Sequence, residues 1–497
     1  MNGVLPWILL GVYGVLFLAI SPRSRDASGF YRGRDAGGRS PSRATLFATV
    51  FISWIFAKSV TNAANLAATY GLPGAVAYGA WWLSIPVAGA VIVGLRSRFG
   101  ARSLPAWVAD RYGRAAAGAF LLALLLRLYN EIWSNTAVVA SYFGPRDSTA
   151  FYAAALVFTL FTLLYTLKGG LRSSILTDAI QAALFAAFLA AVAALGLPAS
   201  AAEAGGADGS GAGLERILSS GSWTLRGGLD LLLVGVLQSV SYPFHDPVLT
   251  DRGFLASERK TLAAFLWAGV LGFAAIVVFG GIGIPAHLSG LAFDDDAPRA
   301  VAAAMGTGIL LLVNVVMLTS AGSTLDSTFS SIAKAVDLDG RWIVRGARAV
   351  GPGAGGSLGV GRWAMAAAAI VGNLPLFFGA RILQATTISG TMVLGLAPIF
   401  VLGLFLRAPP ASFHLAFWTG AAVGIAEAAG WIPSALGVGG GRYATLLGAN
   451  LWGLALATAL FLVPWAVRRR SRTGGPRAAS GRGRSSRGRS SRGRSDG

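Results

Sequence analysis

Apolar stretches of about 20 residues, the length that crosses the hydrocarbon core of a bilayer, recur along the whole chain. They lie near residues 4–20, 46–71, 75–95, 116–143, 150–168, 174–197, 228–249, 262–287, 302–335, 363–379, 382–406, 412–433 and 444–467. Short polar connectors separate them. The pattern predicts thirteen transmembrane helices and an all-α polytopic membrane protein.

Four of these stretches carry polar residues at helical spacing. Ser320, Ser323, Thr324, Ser327 and Ser331 fall at i, i+3, i+4, i+7 and i+11, a single helix face that continues directly from the apolar run "ILLLVNVVML". Lys58, Thr61, Asn62 and Asn65 share another face. Arg127, Asn130, Glu131 and Ser134 share a third, with Arg127 and Glu131 at the i,i+4 spacing of an ion pair, and Asp178 and Gln181 lie about one turn apart. Ionisable groups inside a span cost about 2.5 to 3.5 kcal/mol each on insertion scales, so such residues are candidates for function. Packing between helices is the competing explanation for any one stripe, since such polar contacts average about 0.6 kcal/mol. The stretch "QSVSYPFHDPVLTDR" (238–252) differs in kind. Pro243 and Pro247 each remove a backbone donor, so the helix should break there. A break at membrane depth is tolerated where it faces protein or a water-filled cavity, which is how secondary transporters build their sites.

Composition agrees: 54% of residues are apolar and 12% charged, against roughly a quarter charged in a globular protein. The net charge of +20 would suggest nucleic acid until its placement is considered. With the N-terminus outside, the loops assigned to the cytoplasm hold 33 of the 41 Lys and Arg, and the acidic stretches 203–215 and 294–296 fall outside. That is the positive-inside distribution, and it predicts a cytoplasmic C-terminus and no nucleic-acid partner. Trp81, Trp82, Trp342, Trp363 and Trp465 lie near predicted helix ends, where interfacial aromatics belong. The segments 21–43 and 341–362 read as soluble basic loops, and the Arg/Gly/Ser-rich tail 468–497 is too poor in apolar residues to fold. The first apolar run has no basic region ahead of it and no small-residue cleavage site after it, so it reads as a retained helix.

Catalytic patterns do not appear. There is no cysteine, the three histidines (His245, His287, His414) are scattered, and neither HExxH, GxSxG nor a phosphate-binding loop occurs. These features predict a non-enzyme that draws on an ion gradient for uphill transport.

The stretch "YTLKGGLRSSILTDAIQ" (165–181) closely resembles the signature of the sodium/solute symporter family, which includes the sodium/glucose and sodium/proline symporters. "STLDSTFSS" (323–331), "ISWIFAKS" with "TYGLPG" (52–74) and "SGTMVLGLAPIFVLGLFL" (389–406) resemble further family segments. The resemblance implies the leucine-transporter-type fold, with two inverted five-helix repeats (helices 2 to 6 and 7 to 11) and helices 2 and 7 broken around a central site. It further implies a sodium ion (Na+) held by the backbone carbonyls of Ile52, Ile55 and Ser320 and the hydroxyls of Ser323 and Thr324. Asp178 would lie on the ion's exit route. Ser239 and Tyr242 would flank the substrate together with Lys58 and Asn62, Tyr242 as an aromatic gate, and Arg127, Glu131, Pro243 and Pro247 would serve structure or gating. Neutral oxygens suit such an ion, replacing its hydration shell without trapping it.

Lys58 departs from the family pattern, where Glu or an uncharged residue is usual. Its ammonium implies an anionic substrate group or an internal partner, with Glu131 and Asp326 as candidates. It also permits a proton-coupled or uncoupled carrier in which Lys58 stands in for the cation. The expected organisation is a first helix and basic loop (1–45), a ten-helix transport core (46–407), two further helices (408–467) and a basic cytoplasmic tail (468–497). The expected function is sodium-coupled import of a small polar organic solute across a bacterial inner membrane by alternating access. A membrane sensor and a channel are the rival classes. A sensor would need an appended signalling domain, where a tail of about 30 residues is expected after 467, and a channel would conduct without saturating.

Overall fold

In hydrocarbon every backbone polar group must be paired within the protein, and a helix does this locally. The computed structural model describes residues 3–35, 37–203, 212–345, 356–379 and 382–473, and among these it contains helices and no strands. The principal helices are α1 (Val4–Ile20), α2 (Ala27–Arg32), α3 (Arg43–Ser53), α4 (Ala57–Tyr70), α5 (Leu72–Phe99), α6 (Arg114–Ser141), α7 (Thr149–Gly169) and α8 (Leu171–Glu203). They are followed by α9 (Leu229–Gln238), α10 (Glu258–Ser289), α11 (Thr307–Val344), α12 (Leu358–Phe378), α13 (Ile382–Met392), α14 (Leu396–Leu404), α15 (Pro410–Ala428) and α16 (Ala444–Arg470).

Among the described residues eight helices are long and apolar enough to cross a membrane, and the count reaches ten when each of the bent pairs α3–α4 and α13–α14 is taken as one span. The other three expected segments contain α1, α9 and α15, which are shorter or less apolar. The exposure pattern is inverted relative to a water-soluble protein. Trp267 is 56% and Val270 61% exposed, whereas Lys58, Glu131, Asp178, Arg252 and Asp326 are fully buried. The protein therefore turns an apolar surface to lipid and keeps these five charges inside the bundle.

Two breaks organise the centre. Residues 54–56 interrupt α3–α4 with a bend of 55°, and neither Pro nor Gly lies in the interruption. After α9 the chain leaves the α-helix at Ser239, forms a 3-10 turn over Tyr242–His245 and resumes helix at Pro247. This is the break that the two prolines predict.

Two expectations are corrected. Trp81 and Trp82 are buried, Trp81 donating to Gln238 Oε1 at 3.0 Å and Trp82 packing edge-on against Trp54, so they serve the bundle core and not a lipid interface. Nor is segment 21–43 a solvated loop throughout. Phe30 and Tyr31 are buried, Ser24 donates to Gly169 O at 2.7 Å, and Tyr31 donates to Asp337 at 2.8 Å. The signature glycines explain the fit: Gly170 has φ 58°, and a Cβ there would overlap Phe30. From residue 474 the tail lies outside the described residues, as does the middle of the 341–362 loop.

Close helix contact gives one prediction. A Cβ at Gly283, in α10, would overlap the backbone carbonyl of Ala64 in α4, which has no rotamer by which to yield. Gly283→Val should therefore destabilise the protein by about 1 to 3 kcal/mol, as overpacking does, visible as a lower unfolding temperature in detergent.

Candidate functional site

The hydroxyl stripe of α11 faces the first break. Ser320 Oγ donates to the carbonyl of Ile55, and Thr324 Oγ1 lies 3.1 Å from the carbonyl of its own Ser320. The Ile52 carbonyl, one turn back, accepts from Ile55 N at 3.1 Å. Ser323 turns the other way, donating to Asp178 Oδ1 at 2.5 Å. All five residues of the expected cation set are completely buried. Their donors are neutral carbonyl and hydroxyl oxygens of two adjoining elements, a chemistry that fits an alkali cation.

Asp178 lies closer to this set than an exit route alone implies, since it bonds Ser323 directly. It also accepts from Thr49 and from Ser53 (3.1 Å), on α3, and pairs with Arg252 at 2.9 Å. Arg252 reaches inward to Ser327 Oγ (2.6 Å), Thr49 Oγ1 (2.9 Å) and the Val248 carbonyl. Arg252 is absent from the residues singled out by sequence, and its place five residues after Pro247 is the available signal. Asp326 is not a partner of Lys58. It accepts from Tyr165 (3.1 Å), Ser174 (2.8 Å), Thr177 (2.7 Å) and Ser327 (3.2 Å).

A second buried chain of charge joins both breaks to α6. Lys58 Nζ, in the first turn of α4, lies 2.5 Å from Glu131 Oε1, and Asn135 donates to the other Glu131 oxygen at 2.9 Å. Arg127 also pairs with Glu131, and extends to Asp246 Oδ2 at 2.9 Å, where Trp54 Nε1 donates at the same distance. Asp246 was missed from the sequence, although an acid between two intramembrane prolines is itself a signal. The Phe56 ring lies 5.3 Å from Lys58 and 5.4 Å from Arg127, and the Tyr242 ring 5.2 Å from Arg127. Aromatic faces thus shield the cations. Two ammonium or guanidinium groups meet two carboxylates, so the chain is neutral as a whole.

Of the residues expected beside the substrate, Asn62 donates to Tyr78 OH at 3.3 Å and lines a cavity of about 500 Å³ with Thr61, Asn65, Gln384, Glu427 and Arg442, among others. Lys58, Ser239 and Tyr242 do not line that cavity. Ser239 Oγ bonds its own helix at Val236 O (2.7 Å), whereas Tyr242 packs edge-on against Trp54 and His245, across the two breaks. Pro243 and Pro247 are buried within the second break.

Residues 36–207 match the model of the Sodium:solute symporter family. No curated protein matches the chain. Among solved structures, a Na+-coupled sialic acid symporter in a substrate-bound outward-open state is similar with a TM-score of 0.73 at 16% identity, covering 94% of this chain and 98% of that one. Mhp1, a transporter of the nucleobase-cation-symport-1 family in a closed conformation with bromovinylhydantoin bound, is similar with a TM-score of 0.55 at 17% identity, covering 92% and 96%. The fold is that of the leucine-transporter-type carriers.

Proposed function

We infer that this chain, residues 36–207 of which match the sodium:solute symporter family model, is a member of that family and a sodium-coupled secondary symporter that imports a small polar organic solute by alternating access. The observation that carries this reading is the junction of the first break with the hydroxyl stripe, Ile55 against Ser320. A sodium ion held by the carbonyls of Ile52, Ile55 and Ser320 and the hydroxyls of Ser323 and Thr324 would tie the end of α3 to α11. Losing the ion would release that tie. Thr49 and Ser53 on α3, joined to Asp178 and through it to Arg252, would report the ion's presence to the second break. The substrate would enter through the cavity lined by Thr61 and Asn62, among others.

Lys58 takes an internal partner in this account. Its ammonium is engaged by Glu131, so the anionic-substrate role and the replacement of the cation by Lys58 both lose support. The core would run over 46–407 with two further helices over 408–467, the N-terminus would lie outside, and the membrane would be a bacterial inner membrane.

Proteoliposomes loaded with potassium and given an inward sodium gradient should accumulate a solute drawn from a screen of sugars, amino acids, ureas and carboxylates. Collapsing the sodium gradient should abolish accumulation, and a proton gradient alone should not support it. Ser323→Ala combined with Thr324→Ala should raise the sodium concentration for half-maximal uptake at least several-fold while the protein stays folded. Accumulation that follows the proton gradient and ignores sodium would refute the coupling.

A further inference from the structure

Segment 21–43, packed against the α7–α8 junction, helps line a pocket separate from the cavity of Thr61 and Asn62. It has a volume of about 670 Å³ and lies where α3, α8 and α10 begin. Two kinds of group line it. Arg39, Arg172 and Lys260 bring three cations from three separate parts of the chain, against the single carboxylate of Asp35, which is engaged by Arg39 at 3.0 Å. Ile175, Leu176, Ala179 and Pro22 form an apolar wall, and Leu176 is 42% exposed on the outer surface of the bundle.

We propose that this pocket binds an anionic phospholipid, its phosphate among Arg39, Arg172 and Lys260 and an acyl chain along Leu176 and Ala179. Charge complementarity selects the headgroup, because three cations meet one carboxylate. The apolar wall selects an amphiphile over a free phosphate, which would gain nothing from Ile175, Leu176 and Ala179. The site has the form in which basic pockets between transmembrane helices take anionic headgroups. Its rim includes Pro41, Ser42 and Thr45 at the foot of α3, so a bound lipid braces the half-helix whose far end carries Ser53 to Asp178.

The test is lipid retention by the purified full chain in detergent, read by native mass spectrometry during titration with phosphatidylglycerol or phosphatidylcholine. Wild type should retain phosphatidylglycerol preferentially, and inorganic phosphate should not displace it. Arg172→Gln with Lys260→Gln should weaken retention by roughly 30-fold, at about 1 kcal/mol for each basic residue near a lipid surface. Lys260 is exposed, so Lys260→Gln alone should leave the fold intact and still weaken retention several-fold. Ala179→Phe should weaken it with the charges unchanged. Equal retention of both lipids by wild type would overturn the proposal, as would displacement by phosphate. So would wild-type retention in Ala179→Phe, or a loss in the charge variants no larger than that of Arg114→Gln with Arg407→Gln, two exposed arginines elsewhere.

Discussion

Glu131→Gln is expected to destabilise the protein by about 3 to 5 kcal/mol, the usual cost of leaving a buried charge without its partner. The substitution preserves shape and removes one negative charge. Lys58 and Arg127 both meet the same Glu131 oxygen, and both are buried at 0–1% exposure. Without that carboxylate only Asp246 remains for two cations, and it already accepts from Trp54. The double variant Lys58→Gln, Glu131→Gln removes one charge of each sign and leaves the Arg127–Asp246 pair intact, so it should recover much of the loss, the non-additivity expected of contacting residues. Unfolding midpoints of the two single variants and the double variant, measured in one detergent, decide the matter. Additive losses would show that Lys58 and Glu131 do not act as a pair.

Arg252→Gln should be comparably damaging for the opposite reason. It leaves Asp178 and Asp326 buried at 0% exposure with hydroxyls and no guanidinium around them. A loss of about 3 to 5 kcal/mol follows from the same rule. Because the excess charge is negative, added cation should offset part of it. Replacing choline by sodium should therefore raise the unfolding temperature of Arg252→Gln more than that of wild type, in line with preferential binding to the folded state. Arg252→Lys keeps the charge but cannot span Asp178, Ser327 and Thr49 as the guanidinium does, and should fall between the two. Wild-type stability in Arg252→Gln at low sodium would contradict this account of the network.

What the sequence disclosed follows from what a local pattern can encode. The α11 stripe and the proline break were legible because helical periodicity and the missing proline donor act within a few residues. The first break was legible only by family resemblance, since Trp54, Ile55 and Phe56 contain no residue that forbids a helix. Pairing across the chain is another matter. Asp178 with Arg252 and Arg127 with Asp246 are separated by 74 and 119 residues, and no spacing rule joins them, so Arg252 and Asp246 were missed. Lys58 illustrates the intermediate case: its need for a carboxylate followed from burial, but the choice of Glu131 over Asp326 required the fold. Trp81 and Trp82 show the converse error, because a helix-end position in sequence does not distinguish a lipid boundary from the middle of a bundle.

The central claim is that the oxygens of the first break and of α11 hold sodium. Equilibrium binding of radioactive sodium to the purified protein, with potassium as competitor, tests it most directly. The account predicts saturable binding to wild type that potassium does not displace, and binding weakened at least several-fold in the folded Ser323→Ala, Thr324→Ala variant. Equal sodium affinity in wild type and that variant would contradict it.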